Sequence, residues 1–336
     1  GELRHADSAD DAGRADASGP HAHLERAGVY NPTANRGFNI EHLRNFNNAA
    51  PRIAFGFESM PGHQAQEDRG GYGTGAAGGG KVHIGGGWQG QDATLANSQQ
   101  TIVQANTEIS ANAIDNGNGG EVVVWADGHT TVNSEIQAKG GALGGNGGRI
   151  ETSGKESLAA NVAANTSAAN GEAGQWLLDP ANLTIVSDAD FQEPSPFTSG
   201  GLGSPLVFFT DDPSPSPTTE SFLRASTVVQ GLHTNGTVVI RTTGQSAGEG
   251  NITVAAPILA GAGLTSSQFN LLNLDLIAQG EINIDAPVGL APGQTVFNGF
   301  NLSLDYDLAK PVYIDAPLYL GTTGSLNLFP YDTGAV

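Results

Sequence analysis

The chain has 336 residues, 38% of them apolar, with 48 glycines and no cysteine, so it forms neither a disulfide nor a thiolate metal site. Glycine in such numbers points away from an ordinary compact globule and toward an architecture with a tight turn every few residues. A formal charge of −20 argues against nucleic acid or anionic lipid as partners, and no apolar run reaches the roughly 18 residues of a transmembrane helix.

The length suits two domains or one elongated one. The start at Gly1, with no methionine or signal peptide, reads as a mature or excised segment. Seven of the fourteen basic residues and five of the eight histidines fall in the first 75 positions, which places a boundary in the glycine-dense stretch 70–80. Residues 1–20 are poor in large apolar side chains and read as a mobile tail. Residues 21–80 read as a small α+β segment. In it NIEHLRNFNNAA is an expected helix capped by Asn39, with Ile40, Leu43, Phe46 and Asn47 on one face. RIAFGFE, residues 52–58, is an expected strand, followed by a polar loop holding His63.

The blocks FNIEHLRNFN, FGFESMPGHQ and DRGGYG resemble part of a family of predicted metal-dependent phosphoesterase-like proteins, the domain of unknown function 3604. That resemblance implies that Glu58 and His63 lie in a site loop and that His63 is a candidate metal ligand. The other histidine and aspartate clusters of a two-metal hydrolase are not in this segment. The alternative is a solvated loop histidine, since a metal shell needs three or four converging ligands.

From Lys81 the pattern changes to short alternating strands: KVHIGG, QTIVQA, EVVVWA, TVNSEIQA, GRIETS and QWLLD, separated by glycine or asparagine. Residues 81–190 and 221–336 are therefore expected to be coils of an all-β, right-handed parallel β-helix. Val122 and Val124, or Ile282 and Ile284, point inward. Asn112, Asn116, Asn118 and Asn146 stand at corners, where asparagine tolerates a left-handed turn and bonds to neighbouring coils. Residues 191–220 hold six prolines and read as a loop or excursion, because proline cannot donate to a ladder. SFLRASTVVQGL after it fits either a short helix or a coil edge.

ITVAAPI, INIDAPV and VYIDAPL place prolines at 257, 287 and 317, a period of 30. Without gaps this register aligns Leu272 with Leu302, Leu274 with Leu304 and Asp275 with Asp305. Asp285 and Asp315 are then stacked carboxylates, candidates for a shared calcium or a retaining pair, or else plain corner residues. Trp88, Trp125 and Trp176 are either sugar-stacking platforms or strand packing. The glycine runs lack the lysine and following helix of a phosphate cradle. No catalytic set and no cofactor site is legible.

The blocks GGWQG, NGNGG…VWAD, KGG…GNGG…SGK and WLLDP-NLTI, within about 105 residues, resemble the body of the filamentous haemagglutinin-type exoproteins. That resemblance implies export by two-partner secretion through an outer-membrane translocator, a place in the medium or on the bacterial surface, and adhesion to a host-cell or bacterial receptor or glycan. It makes the chain a non-enzymatic structural and adhesive segment. The family's secretion domain is not in this sequence. A metal-dependent hydrolase and a β-helix enzyme acting on polysaccharide are the alternatives.

Overall fold

The computed structural model describes residues 52–55, 64–67, 71–72, 74–103, 107–191, 220–243, 249–265, 267 and 269–331. The chain is mostly β, its strands pair in parallel, and its sheets do not close into a barrel. The first circuit lays down β1 (Arg52–Phe55), β2 (Gln64–Glu67) and β3 (Gly71–Tyr72). The second gives β4 (Lys81–Ile84), β5 (Gln100–Val103) and β6 (Ile109–Ser110), and the third β7 (Glu121–Ala126), β8 (His129–Val132) and β9 (Ile136–Gln137). Then come β10 (Arg149–Gly154), β11 (Ser157–Ala160), β12 (Gln175–Leu178), β13 (Asn182–Val186) and β14 (Glu220–Arg224), with the helix α1 (Ala225–Asn235) after them. The chain continues with β15 (Thr237–Thr242), β16 (Ile252–Val254), β17 (Ile258–Ala260), β18 (Leu271–Ala278), β19 (Ile282–Ile284) and β20 (Val288–Leu290). Last are β21 (Gly299–Asp307), β22 (Val312–Ile314), β23 (Leu318–Tyr319) and β24 (Leu326–Tyr331).

One long sheet runs the length of the stack in the order β1-β4-β7-β10-β12-β15-β18-β21-β24. The second face carries β2-β5-β8-β11 and then β14-β13-β16-β19-β22, and the third carries β3-β6-β9 and β17-β20-β23. Among the described residues pairing thus already includes Arg52, ahead of Lys81 where the coils were expected to start.

Period-two alternation turns every second side chain of the long sheet inward. Val82, Val122, Ile150, Trp176, Val238, Leu274 and Leu302 form one column in register, and all seven are fully buried. Trp176 adds a polar edge to this interior, which the Thr152 hydroxyl accepts at 3.0 Å. The column ends at Leu326, which is 36% exposed because no further strand covers it among the described residues.

Asparagines bind the corners together along the stack. Asn118 Oδ1 accepts the N–H of Asn146, and Asn146 Oδ1 accepts that of Glu172. Asn112 Oδ1 accepts the N–H of Lys139 at 2.6 Å. None of these corners is left-handed: among the described residues the sole non-glycine with positive φ is Gln89. The asparagines act through side-chain bonding, while glycine takes the strained turns.

Among the described residues the stacking is interrupted at β14. SFLRASTVVQGL is both a strand and a helix, β14 running into α1. β14 pairs with β13 on one side and lies against β11 on the other, where Leu158 N donates to Ser221 Oγ and Arg224 donates to Asn161 Oδ1. The chain therefore lays down β13 and then returns to fill the layer beneath it. In that layer α1 replaces the third strand. Its fully buried Asn235 donates to Ala164 O at 2.8 Å and accepts from Thr166 N at 2.7 Å, so a side-chain amide does the work of a backbone peptide in a parallel ladder.

The 30-residue register holds only on the short strands, where Ile252 faces Ile282 and Ile282 faces Val312. On the long sheet Leu272 faces Phe300, Leu274 faces Leu302 and Asp275 faces Ser303, so the expected pairing of Asp275 with Asp305 is wrong by two residues. The turn 308–310 after β21 absorbs the difference. A slip of two preserves the inward and outward faces, so alternation alone could not reveal it.

Candidate functional site

The outward positions of the long sheet also stack in columns. The first holds Lys81, Glu121, Arg149, Gln175 and Thr237, each at or next to a strand start; the second holds His83, Val123, Glu151 and Leu177. Glu121 is 5% exposed and gathers three cationic or basic side chains. Lys81 Nζ lies 2.9 Å and His83 Nε2 2.8 Å from Oε1, and Arg149 donates to Oε2 through Nε and through a terminal nitrogen. Burial raises the Glu121 carboxyl, but His83, Lys81 and Arg149 outweigh it and hold the group well below the usual carboxylate range. Lys81 and Arg149 stay about half exposed at an open groove of about 780 Å³, lined also by Gly80, Gly120, Gly148 and Gly174.

Residues 85–98 form a strap across this face. Ser98 N donates to Gly85 O at 2.8 Å to close its base, and Trp88, Gln89 and Gly90 make one 3-10 turn over β7 and β10. Gly90 sits at φ +64, where a Cβ would come within 2.6 Å of the Trp125 ring, so only glycine allows this approach. Trp125 donates to Asp127 Oδ1 at 3.1 Å, and Asn97 donates to the same oxygen and to Gly90 O, both at 3.0 Å. The Arg149 guanidinium lies 4.4 Å from the Trp88 ring centroid, a cation–π contact.

Under the strap lies Glu151, with no exposed surface. Gln89 N donates to its Oε2 at 2.8 Å, whereas Oε1 makes no hydrogen bond. Burial pushes this carboxyl up to about 8, and the nearby charges of Asp179 and Glu121 add to the rise against the Gln89 N–H and the Ser153 hydroxyl. Asp179, also buried, is pushed up to about 6 by burial, with Arg241 and Thr243 acting the other way. At neutral pH Glu121 and most of Asp179 are thus anions, and Glu151 is mostly uncharged.

A second buried polar group lies on β8. His129 Nδ1 is 2.7 Å from Ser157 Oγ and Nε2 is 2.9 Å from Thr131 Oγ1, and burial pushes the imidazole down to about 4. Ser157 is 3% exposed, so the pair is packing rather than a nucleophile open to substrate.

Glu58 and His63 lie outside the described residues. Asp285 and Asp315 occupy equivalent corners of successive layers and are exposed; their backbone N–H groups donate to Val254 O and Ile284 O, both at 3.0 Å. Asp305 stands beside Ile277 and Phe329 in register. Trp125 and Trp176 are buried, and Trp88 is half-buried against Arg149. Among the described residues no group of three or more His, Asp or Glu side chains is placed to hold a metal ion, and no helix is long and apolar enough to cross a membrane.

Sequence reasoning missed Lys81, Glu121, Arg149, Glu151 and Asp179. A signal for the first three was present, because each directly follows a glycine pair: Gly79-Gly80, Gly119-Gly120 and Gly147-Gly148. No protein-family model matches the chain, and it matches no curated protein.

Proposed function

We propose that the chain is the stalk and adhesive face of a secreted bacterial surface exoprotein of the filamentous haemagglutinin type. It is exported by two-partner secretion and built as a right-handed parallel β-helix. The observation that carries this reading is the uninterrupted parallel ladder of nine strands from Arg52 to Tyr331, with inward apolar and corner asparagine columns. Right-handedness follows the general preference of parallel crossover connections. In such a stack each layer satisfies the backbone of the next, so a long rigid rod forms without a globular core. The rod then presents its outer columns to a host-cell or bacterial receptor or glycan.

Labelled full-length chain incubated with epithelial and bacterial cells tests the adhesive role. Saturable binding that excess unlabelled chain displaces is the expected result. Retention no greater than that of a size-matched acidic control would remove it and leave the chain a passive stalk.

A further inference from the structure

We propose that residues 85–98 form a lid held shut by the uncharged carboxyl of Glu151, and that ionisation of this group releases the lid and bares the Trp125 ring on β7. This goes beyond the adhesive reading and does not depend on it. The geometry carries the argument. Glu151 has no exposed surface, and its carboxyl ties the strap to β10 by a hydrogen bond from Gln89 N at 2.8 Å, beside the Arg149–Trp88 contact. Gln89 holds that position at φ 53, a conformation a side chain adopts only under constraint, so the closed turn is strained and depends on what it docks against.

An anion at Glu151 is met by the Gln89 N–H and the Ser153 hydroxyl, which act against burial without offsetting it, and Oε1 itself makes no hydrogen bond and is cut off from water. The surrounding charges do not relieve it. From β7 the facing group is Glu121, already neutralised by Lys81, His83 and Arg149. From beyond β12 it is Asp179, beside Arg241 of β15, and both carboxylates push against a further negative charge. The strap itself brings Asp92, which binds Thr94 in solvent, and it leans on Asp127 through Asn97. The cation nearest in the chain, Arg149, is committed to Glu121 and Trp88. Charging Glu151 in the closed state therefore strains a site that solvent would relieve, and lifting the strap admits that solvent. Burial pushes the closed-state group up to about 8, so opening is favoured progressively as pH rises from the ordinary value of 4.5 and the effect is complete at about 8.

Amide hydrogen exchange of the full chain between pH 6 and 9.5 reads the device at Gln89, Gly90 and Gln91. Protection there is expected to fall by up to about tenfold per pH unit from pH 6 toward 8, where opening releases the carboxyl proton, and to level off above pH 8, where the group is ionised in both states, while the amides of β15 and β18 keep their protection. Glu151→Gln cannot ionise and is expected to keep the strap protected throughout. Flat strap protection in the unmodified chain, or the same loss in Glu151→Gln, overturns the proposal. If Glu151→Gln does not fold, carbon-13 titration of Glu151 in the unmodified chain decides: a midpoint near 4.5 with the strap still protected sinks it, and a midpoint that coincides with strap opening supports it.

Discussion

The first outward column of the long sheet is charged at one end and neutral at the other. Over β4, β7 and β10 it reads Lys81, Glu121 and Arg149, with one buried carboxylate shared by two cations and a histidine. Over β15, β18, β21 and the turn before β24 it reads Thr237, Asn273, Asn301 and Ser325. There Asn273 donates to Thr237 at 3.2 Å, Asn301 to Asn273 at 2.9 Å, and Ser325 to Asn301 through N–H and hydroxyl at 3.0 and 2.9 Å. Both solutions tie successive layers together along the stack. The amide and hydroxyl ladder does so at any pH, and the ionic one only while its members keep their charges. The charged end also carries the strap and the buried Glu151, and the titratable groups displaced furthest among the described residues lie on that side of the stack.

The sharpest test of that contrast removes one member from each end. Glu121→Ala leaves Lys81, His83 and Arg149 around an empty anion site and is expected to cost about 3 kcal/mol; Asn301→Ala should cost about 1 kcal/mol. Denaturant unfolding at pH 7 measures both, and equal costs would erase the distinction. Glu151→Gln should act in the opposite sense at high pH. The folded-state carboxyl is raised from 4.5 to about 8, so stability is fully present below pH 4.5 and is lost as pH rises through 8. The variant should match the parent at pH 4.5 and exceed it by about 1 to 3 kcal/mol at pH 9, read from thermal midpoints.

On the acid side the sign reverses. His129 is held neutral down to about pH 4, whereas the unfolded chain titrates at 6.5, so unfolding takes up a proton in between and stability present above pH 6.5 drains away toward pH 4. Glu121 adds a further loss below its ordinary value of 4.5, for the same reason. In the Glu151→Gln variant, which removes the opposing gain from that carboxyl, exchange protection of β8 should therefore fall before that of β18 and β21 as pH drops from 7 to 4. Simultaneous loss would contradict a division between the two ends. The smallest effect is expected from Asp305→Asn, a near-isosteric change at a half-buried side chain: a change within about 0.5 kcal/mol, measured by the same denaturant curves.

Much of this architecture could be read from residue order. Alternation placed Val122, Val124, Ile282 and Ile284 inside, and all four are fully buried. The Ala-Pro spacing gave the register of β16, β19 and β22. What escaped was whatever depends on circuits of unequal length. The slip that moved Asp275 from Asp305 to Ser303 leaves every side chain on the same face, and the return of β14 beneath β13 has no local signature. The ionic column was written as Gly-Gly followed by Lys, Glu or Arg. Its members meet only once β4, β7 and β10 are stacked, and nothing in RIETSG says that its glutamate lies under a strap anchored more than fifty positions earlier.

The return of β14 also bears on how the molecule assembles. Elsewhere a layer is complete as soon as its own residues exist, so growth from the first circuit can advance one layer at a time, with short-range closure at each step. At β11 that rule fails. Its upper edge waits for Ser221 and Arg224, and the Ala164–Thr166 edge waits for Asn235, which arrives about seventy residues later. β13 must stand off until then or pair wrongly with β11. β12, β13, β14, α1 and β15 therefore close as one cooperative block, a pause point at which an otherwise stepwise process becomes all-or-none.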